Sequence, residues 1–393
     1  MDLNINESDI GFRDEVRAFL ASCWPKADKQ RNRSQKDIAL FRQRAIEAGY
    51  LYRSIPRRYG GSEQAYNIIR AEIIREEFGR VRAPMEVSGN GTSMLVPTLL
   101  DCGTEWQREQ FIRPTISGEY VWAQGYSEPG AGSDLAALKT SAVLTGDQWV
   151  INGHKIWTTD VLKAQFMFAL VRTEPDAPKH KGISYLLIDL RQPGVTVRPL
   201  KQLHGGEEFG EVFLENVKTP ADWIVGNRGE GWSVSKTTLK HERSSIGNAK
   251  SYMAMYARLY ELAAGTTRSG LPAIQDPVIR VELARIEALV LSQQYSSYRQ
   301  FSRAAVGKDP GLSPLLNKLV CTGIGHRIAA LAQELIAESG LLLPSAQVRG
   351  AEKWVNQIVG SLGVAIAGGS SNIQRNIIAE RGLDLPRAQG EGA

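Results

Sequence analysis

The sequence predicts an α+β protein of several domains, in which helices at both ends of the chain flank a small β-domain. Apolar residues recur at helical spacing over the first 120 residues, and the spacing then changes to two. The helical period returns after "GNRGEGW", which ends at Trp232. We therefore expect an N-terminal helical domain over 1–120, a central β-domain over 121–228 and a C-terminal helical bundle over 229–393.

Helical signals are clear in the N-terminal domain. The segment "DIGFRDEVRAFLASCW" places Ile10 and Val16 at helical spacing, and "AYNIIRAEIIREEFGR" carries Ile73 on its apolar side. A helix in "IALFRQRAIEAGYL" is expected to stop at Gly49. Thr104 is a suitable N-cap for a short helix in "TEWQREQFIRPTISGEY".

The central domain begins with the stretch "SAVLTGDQWVINGHKIWTT", which contains two turn signals. One is Thr-Gly-Asp, and the other is Asn152-Gly153, the strongest short hairpin signal available. Further strands are expected in "AQFMFALVRT", "GISYLLIDL", "GVTVRPL" and "GEVFLENVKTP".

The C-terminal domain shows long apolar-periodic segments that are typical of antiparallel helices in a bundle. These helices are expected to start near Trp232, Pro277, Pro314, Ser345 and Ser371.

Several common kinds of site are excluded by the motifs that the sequence lacks. There is no G-x-G-x-x-G, Walker loop, H-E-x-x-H or G-x-S-x-G, and the five His residues are dispersed. The sequence therefore indicates neither a Rossmann enzyme nor a zinc hydrolase, and we expect no metal.

Composition and net charge further limit the broad class of protein and the partners that the sequence favours. The chain has 393 residues, 42% of them hydrophobic, without an apolar run long enough for a membrane span. Three distant cysteines form no disulfide framework, which favours a reducing cytoplasm. The net charge of +5 suits nucleic acid or a phosphate-bearing small molecule equally well. Acidic residues interrupt the basic stretch 26–58, so we expect a solvated helical face and no nucleic acid.

A glycine-rich loop, "YSEPGAGSD", covers residues 126–134. Its glycines allow backbone N–H groups to approach a ligand, and Ser127 and Ser133 add hydroxyl donors. An isolated loop of this kind is more often a tight connection between domains. Here "NGHKIWTTD" follows, in which Trp157 could stack on a flat ring and Thr159 could hydrogen-bond one, although a lone Trp is more often part of the core.

Together these motifs resemble the acyl-CoA dehydrogenase family of flavoproteins. The similarity covers nearly the whole chain and includes "YSEPGAGSDLA", "INGHKIWTT", "VGNRGEGW" and "GSSNIQRNIIAERGLDLPR". The resemblance implies an N-terminal helical domain, a β-domain and a C-terminal four-helix bundle. It also implies FAD-dependent α,β-dehydrogenation of an acyl-CoA, with electrons passing to an electron-transferring flavoprotein.

The resemblance assigns most of the site by position. By this resemblance, Ser133 would approach CoA in addition to FAD, and Arg243 would contact the substrate. The "GGSS" segment opens a helix, so its free N–H groups suit polar ligand atoms. The implied FAD contacts are Gln124, Tyr126, Ser127, Gly132, Ser133, Trp157, Thr158, Thr159, Gln357, Gly360, Gly369, Ser370 and Asn372.

Two departures from the family pattern affect this assignment. Many members have an Arg-x-x-Phe-Gly motif that contacts a neighbouring subunit's FAD, but this chain reads "AAGTTRSGLPAIQDP", so those contacts stay unassigned. The later Gln-x-x-Gly-Gly motif is reduced to "QIVGSLG", which contains Gln357 and Gly360.

The reaction needs a carboxylate base with a pKa raised by desolvation, and donors to the thioester carbonyl. Many members carry that Glu where this chain has Gly368, whose backbone N–H remains available as a donor. A smaller set, which acts on branched or bulky acyl groups, carries it directly before an Arg on the first long C-terminal helix. Glu242 occupies that position, next to Arg243.

Helical phasing supports Glu242 independently of the family. On one continuous helix, Glu242 would lie near the centre of an apolar arc formed by Ile246, Met253, Tyr256 and Tyr260. The alternative is a buried glutamate that is satisfied by an arginine or a helix cap. The resemblance, together with the absence of a side chain at Gly368, favours Glu242 as the catalytic base.

Three other readings remain open at the sequence level. The chain could be a non-catalytic partner subunit that pairs with a related chain, so that the assembly is a heterotetramer rather than a homotetramer. It could also be a flavin oxidase or monooxygenase on the same fold. A nucleic-acid-binding relative is the third reading, and the sequence has no clustered basic tail to support it.

Overall fold

The computed structural model describes residues 7–25, 33–245, 249–309, 311–341 and 352–386. Short 3₁₀ and π turns connect several of the longer helices. The α-helices in these ranges are α1 Glu7–Cys23, α2 Gln35–Glu47, α3 Ile68–Val81, α4 Val96–Cys102, α5 Glu105–Ser117, α6 Gly231–Ser245, α7 Ala249–Gly265, α8 Pro277–Ala305, α9 Ser313–Ile336, α10 Glu352–Val364 and α11 Ser371–Ile377.

An eight-stranded mixed sheet lies between the two helical regions in sequence. Its strands are β1 Trp122–Gly125, β2 Ser141–Thr145, β3 Gln148–Thr159, β4 Phe166–Arg172, β5 Ile183–Asp189, β6 Val195–Leu200, β7 Phe209–Pro220 and β8 Ile224–Val225. The order is β6-β7-β3-β2-β4-β5-β8, and β1 pairs in parallel with β4. A small hairpin, β9 Thr267–Arg268 and β10 Leu271–Pro272, is separate.

The predicted order of helices, strands and helices is confirmed. Thr104 caps α5, as predicted, in a reciprocal capping box with Gln107. The Gln107 amide also donates to the carbonyls of Asp222 and Ile224 at 2.8 and 2.7 Å. This buried side chain therefore fixes α5 against the end of the β-domain.

Aromatic side chains fill the core of the N-terminal helices. Phe19 on α1, Phe41 on α2 and Phe78 on α3 are in mutual ring contact. The prediction that Ile10 belongs to this apolar face was wrong, because Ile10 is 52% exposed while Phe12 is buried. The predicted member Val16 is buried, so only the N-terminal end of the apolar stripe of α1 differs from the prediction.

The prediction of a hairpin turn at Asn152-Gly153 was wrong. Strand β3 runs through both residues. The other predicted turn, Thr-Gly-Asp, is confirmed, since the β2–β3 hairpin turns between Thr145 and Gln148. Asn152 exchanges hydrogen bonds with Asn216 across an irregular step of the β3–β7 ladder. A Cβ on Gly153 would lie 2.6 Å from the Cα of Thr140, so the close approach of backbone explains the glycine.

The C-terminal helices enclose a second core made mainly by α7, α8 and α9. The helix predicted from Trp232 onward is described as α6 up to Ser245 and as α7 from Ala249, and residues 246–248 between them lie outside the described part. The predicted start near Ser345 lies outside the described residues. Buried members of this core include Leu259, Ala263, Ile279, Leu283, Ile286, Val290, Ile324, Ile328, Leu331 and Leu335.

The chain divides into two compact units. The first comprises Met1–Arg198, Phe209–Thr238 and Phe301–Lys308, and the second comprises the remaining residues. The three-domain boundaries proposed from sequence therefore stay a prediction.

A buried carboxylate holds three arginines in the first unit. Glu77 of α3 pairs with Arg13, Arg17 and Arg80 at 2.9–3.0 Å. Burial by itself raises the pKa of Glu77, but hydrogen bonds from the three guanidinium groups outweigh it and lower the pKa to about 2.

Glu77→Gln is expected to lower the free energy of unfolding by about 2 kcal/mol at pH 7 because it removes these charge-assisted bonds. A lowered carboxyl pKa stabilises the fold above the unfolded pKa, and this contribution disappears as pH falls from about 4.5 towards 2. The difference between wild type and variant in denaturant titrations should shrink over that range. Glu76→Gln, which breaks only an exposed contact to Arg13, is the control. Equal losses for the two variants would contradict the account.

Candidate active site

The loop of residues 126–134 follows β1 and is closed by its own backbone. The amide of Glu128 donates to the Ala131 carbonyl at 3.1 Å, and the amide of Ala131 donates back at 3.0 Å. The Ile156 amide donates to the Ser127 carbonyl at 2.9 Å, which joins the loop to β3. The two motifs predicted to line one site are therefore in direct contact.

The far side of this loop is open. Gly132 and Ser133 are exposed, and a Cβ on Gly132 would meet no atom within 4 Å. Gln124 and Ser127 are half-buried, and Tyr126 is buried with its ring edge-on to Phe168. A ligand can thus reach the loop backbone without displacing protein atoms.

Trp157 is held in an unusual backbone conformation. Its φ is +58°, in the left-handed region that a bulky residue rarely adopts. The cause is a bulge, since Lys155 pairs with Val212 and Thr158 pairs with Gly210, leaving two β3 residues opposite one. The indole is 56% exposed. A strained, exposed aromatic beside an open loop indicates a surface for stacking a flat ligand.

The two threonines after Trp157 differ in burial. Thr158 is fully buried, and its hydroxyl has no hydrogen-bond partner within the described residues. Thr159 is half-buried and ends the strand. Asp160 follows with a φ of +57°. It starts a turn in which its carbonyl accepts hydrogen bonds from the amides of Lys163 and Ala164.

A buried ion pair between Glu128 and Lys155 joins the loop to β3. The Lys155 Nζ lies 2.8 Å from a Glu128 oxygen. Burial lowers the pKa of Lys155, and Glu128 opposes that effect. Burial alone raises the pKa of Glu128, but the Lys155 charge and hydrogen bonds hold it below its ordinary value. Sequence reasoning missed this pair, although opposite charges in two adjoining motifs were a usable signal.

In the second unit, Gly368 and Gly369 form a turn before α11, and both have positive φ. The Gln374 amide donates to the Gly368 carbonyl at 3.1 Å, and the Lys318 ammonium donates to the Gly369 carbonyl. Among the described residues, the amides of Gly368 and Gly369 have no acceptor. The turn thus directs its carbonyls into the protein and leaves its N–H groups available.

The remaining predicted residues of the second unit lie on helices. Ser370 caps α11, and Asn372 is exposed and bonded to Arg375. Gln357 and Gly360 lie half-buried on α10.

Glu242 and Arg243 lie on α6, but their side chains fall outside the described residues. The apolar arc proposed around Glu242 includes Ile246, which lies outside the described residues, and three members on α7. Tyr260, one of its members, is 49% exposed. The arc therefore stays a prediction, and the positional match supports Glu242 independently of it.

Two kinds of feature are absent from the described residues. No group of three or more His, Cys, Asp or Glu side chains is placed to hold a metal ion. No helix in this part of the chain has the length and hydropathy needed to cross a bilayer.

Models of one protein family match most of the chain. The N-terminal domain model of acyl-CoA dehydrogenases matches residues 6–119, the middle domain model 123–217 and the C-terminal domain model 229–383.

Individual relatives are similar to this chain over most or all of their length. Acyl-CoA dehydrogenase IpdE1 of Mycobacterium tuberculosis is 38% identical over 349 residues, covering 88% of each chain. The ChsE4-ChsE5 complex of the same organism gives a TM-score of 0.77 at 26% identity, covering 99% of this chain and 100% of that one. The Tcur3481-Tcur3483 steroid ACAD gives 0.76 at 25% identity, with the same coverage. The chain belongs to the acyl-CoA dehydrogenase family of flavoprotein oxidoreductases.

Proposed function

We propose that the chain binds FAD and uses Glu242 to start the α,β-dehydrogenation of a bulky or cyclic acyl-CoA. The observation that carries the proposal is the open loop of residues 126–134 beside the strained, exposed Trp157. This surface combines amide donors, hydroxyl donors and an aromatic face, which are the groups that a flat heterocycle with acceptor edges requires.

The described residues fit a flavin. Gly132 and Ser133 offer amides with no acceptor within the described part of the chain, and Trp157 offers a ring face. The buried Thr158 hydroxyl lacks a partner there, which leaves a donor for a ligand atom. When bound, FAD would accept the hydride that leaves the β-carbon of the substrate.

Glu242 is proposed as the base that takes the α-proton. Gly368 has no side chain to offer, so the carboxylate must come from elsewhere in the chain. Glu242 matches the second position at which family members carry the base. Desolvation in a closed site would raise its pKa towards working pH and make it an effective base.

Gly368 is proposed to act through its backbone. Gln374 and Lys318 hold the carbonyls of Gly368 and Gly369, so the geometry of this turn is fixed from inside. The free Gly368 amide is suited to donate to the thioester carbonyl and to stabilise the enolate charge that develops there. Ser370, Asn372, Gln357 and Gly360 are proposed contacts of FAD in this unit.

The proposed substrate class rests on the relatives. One solved relative is named a steroid ACAD, and a fused-ring acyl group is both bulky and cyclic. Gly368 adds no side-chain volume where other members carry a glutamate. We also propose that the chain assembles with a related chain, because that steroid ACAD and the ChsE4-ChsE5 complex are both named as pairs. An electron-transferring flavoprotein is the proposed acceptor, and a homotetramer is the alternative assembly.

Glu242→Gln should leave FAD bound but slow flavin reduction by acyl-CoA at least about 100-fold, because the amide cannot accept the α-proton. Anaerobic stopped-flow bleaching of the flavin measures this rate. The control is Glu261→Gln, which changes an exposed glutamate on α7. Bleaching at the wild-type rate in Glu242→Gln would remove the base assignment and leave a different proton acceptor to be found.

A panel of straight, branched, cyclic and steroid-derived acyl-CoA thioesters tests the substrate class. We expect kcat/KM for a cyclic or steroid-derived thioester to exceed that for butyryl-CoA by at least about tenfold, since binding energy grows with the apolar area buried. Preference for a short straight chain would contradict the proposal. Slow reoxidation of the reduced flavin in air would separate a dehydrogenase from an oxidase.

A further inference from the structure

Lys155 connects the glycine-rich loop to the sheet through the hydrogen bonds of its side chain. Its side chain is fully buried, and its Nζ donates to three oxygens. These are Glu128 Oε1 at 2.8 Å, the Leu170 carbonyl at 2.7 Å and the Tyr126 carbonyl at 3.3 Å. An ammonium group has three donors, so the bonding capacity of Lys155 is filled.

Glu128 completes the connection from the loop side. Its carboxylate accepts the amide of Lys139 at 2.6 Å and the amide of Thr140 at 2.9 Å, in addition to Lys155. These two amides lie just before β2, beyond the far end of the loop. One carboxylate therefore ties both ends of residues 126–140 to the same buried cation.

The consequence is a defined orientation of the loop backbone. The carbonyls of Tyr126, Ser127 and Glu128 are all used inside the protein, by Lys155, Ile156 and Ala131 respectively. The amides of Gly132 and Ser133 have no acceptor in the described part of the chain. The loop thus turns its acceptors inward and presents donors outward, as a ligand rich in acceptors requires.

We propose that Glu128 and Lys155 are positioning residues that hold the glycine-rich loop in its flavin-binding conformation before the cofactor arrives. The inference rests on the proposed assignment of this loop to FAD. Neither residue needs to touch the ligand, since both act through the backbone between Tyr126 and Ser133. Pre-ordering the loop strengthens binding because the ordering entropy is not lost at the moment of association.

A contribution to folding stability does not by itself explain the presence of the buried Glu128–Lys155 ion pair. Desolvating two charges offsets most of their Coulomb attraction, so a buried ion pair is a weak source of stability. Removing one partner leaves an unpaired buried charge and is strongly destabilising, whereas replacing both with neutral groups is often tolerated. This asymmetry allows the positioning effect to be separated from the effect on stability.

The test uses Lys155→Met and the double variant Lys155→Met with Glu128→Gln. FAD affinity is measured by titrating FAD into deflavinated protein, and stability by thermal unfolding of the same preparations. Lys155→Met should lower both. The double variant should regain the part of the lost stability that the unpaired carboxylate costs, although its single amide oxygen can accept only one of the Lys139 and Thr140 amides. It should still bind FAD at least about tenfold more weakly than wild type, because the three Nζ bonds remain absent.

Glu77→Gln is the control, since it removes a buried paired carboxylate from the same unit far along the chain from the loop. It should lose stability while its Kd for FAD stays within about twofold of wild type. Wild-type FAD affinity in the stable double variant would overturn the positioning role and leave the proposed function intact. Failure of the wild-type chain to bind FAD would overturn both.

Discussion

The extra residue in β3 between Lys155 and Thr158 is the constraint on which the candidate site depends. Without it, the alternation of a regular strand would put Lys155 and Trp157 on the same face. The bulge separates them, so the ammonium group is buried beneath the glycine-rich loop while the indole is exposed beside it. The cost is the left-handed backbone at Trp157, of order 1–3 kcal/mol, which the surrounding sheet must offset.

Both units orient backbone in the same way. In the first, Lys155 holds the Tyr126 carbonyl, and in the second, Lys318 holds the Gly369 carbonyl. In each case a buried lysine directs acceptors inward, and nearby amides are left for a ligand. Backbone donors suit such a site because they carry no side-chain entropy and cannot change protonation state.

The sequence was sufficient for the element order, the α5 cap and the two motifs, because periodicity and cap chemistry are local. It was misleading where a tertiary contact replaced a local preference. Asn152-Gly153 reads as a turn, yet Asn152 bonds to Asn216, 64 residues away, and Gly153 admits the backbone of Thr140. The Glu128–Lys155 pair joins residues 27 apart, so the opposite charges of the two motifs were visible in the sequence, but their burial against each other was not.

In the proposed reaction, the chain removes one hydrogen from each of two adjacent carbons of the acyl group, and the electrons pass to a bound flavin. The most direct measurement is an anaerobic single turnover of the FAD-loaded protein with cyclic acyl-CoA labelled with deuterium at the α- or the β-carbon. The account predicts one enoyl-CoA formed per flavin bleached, with slower bleaching for either label. A flavin that stays oxidised, or product formed without loss of the β-deuterium, would contradict it.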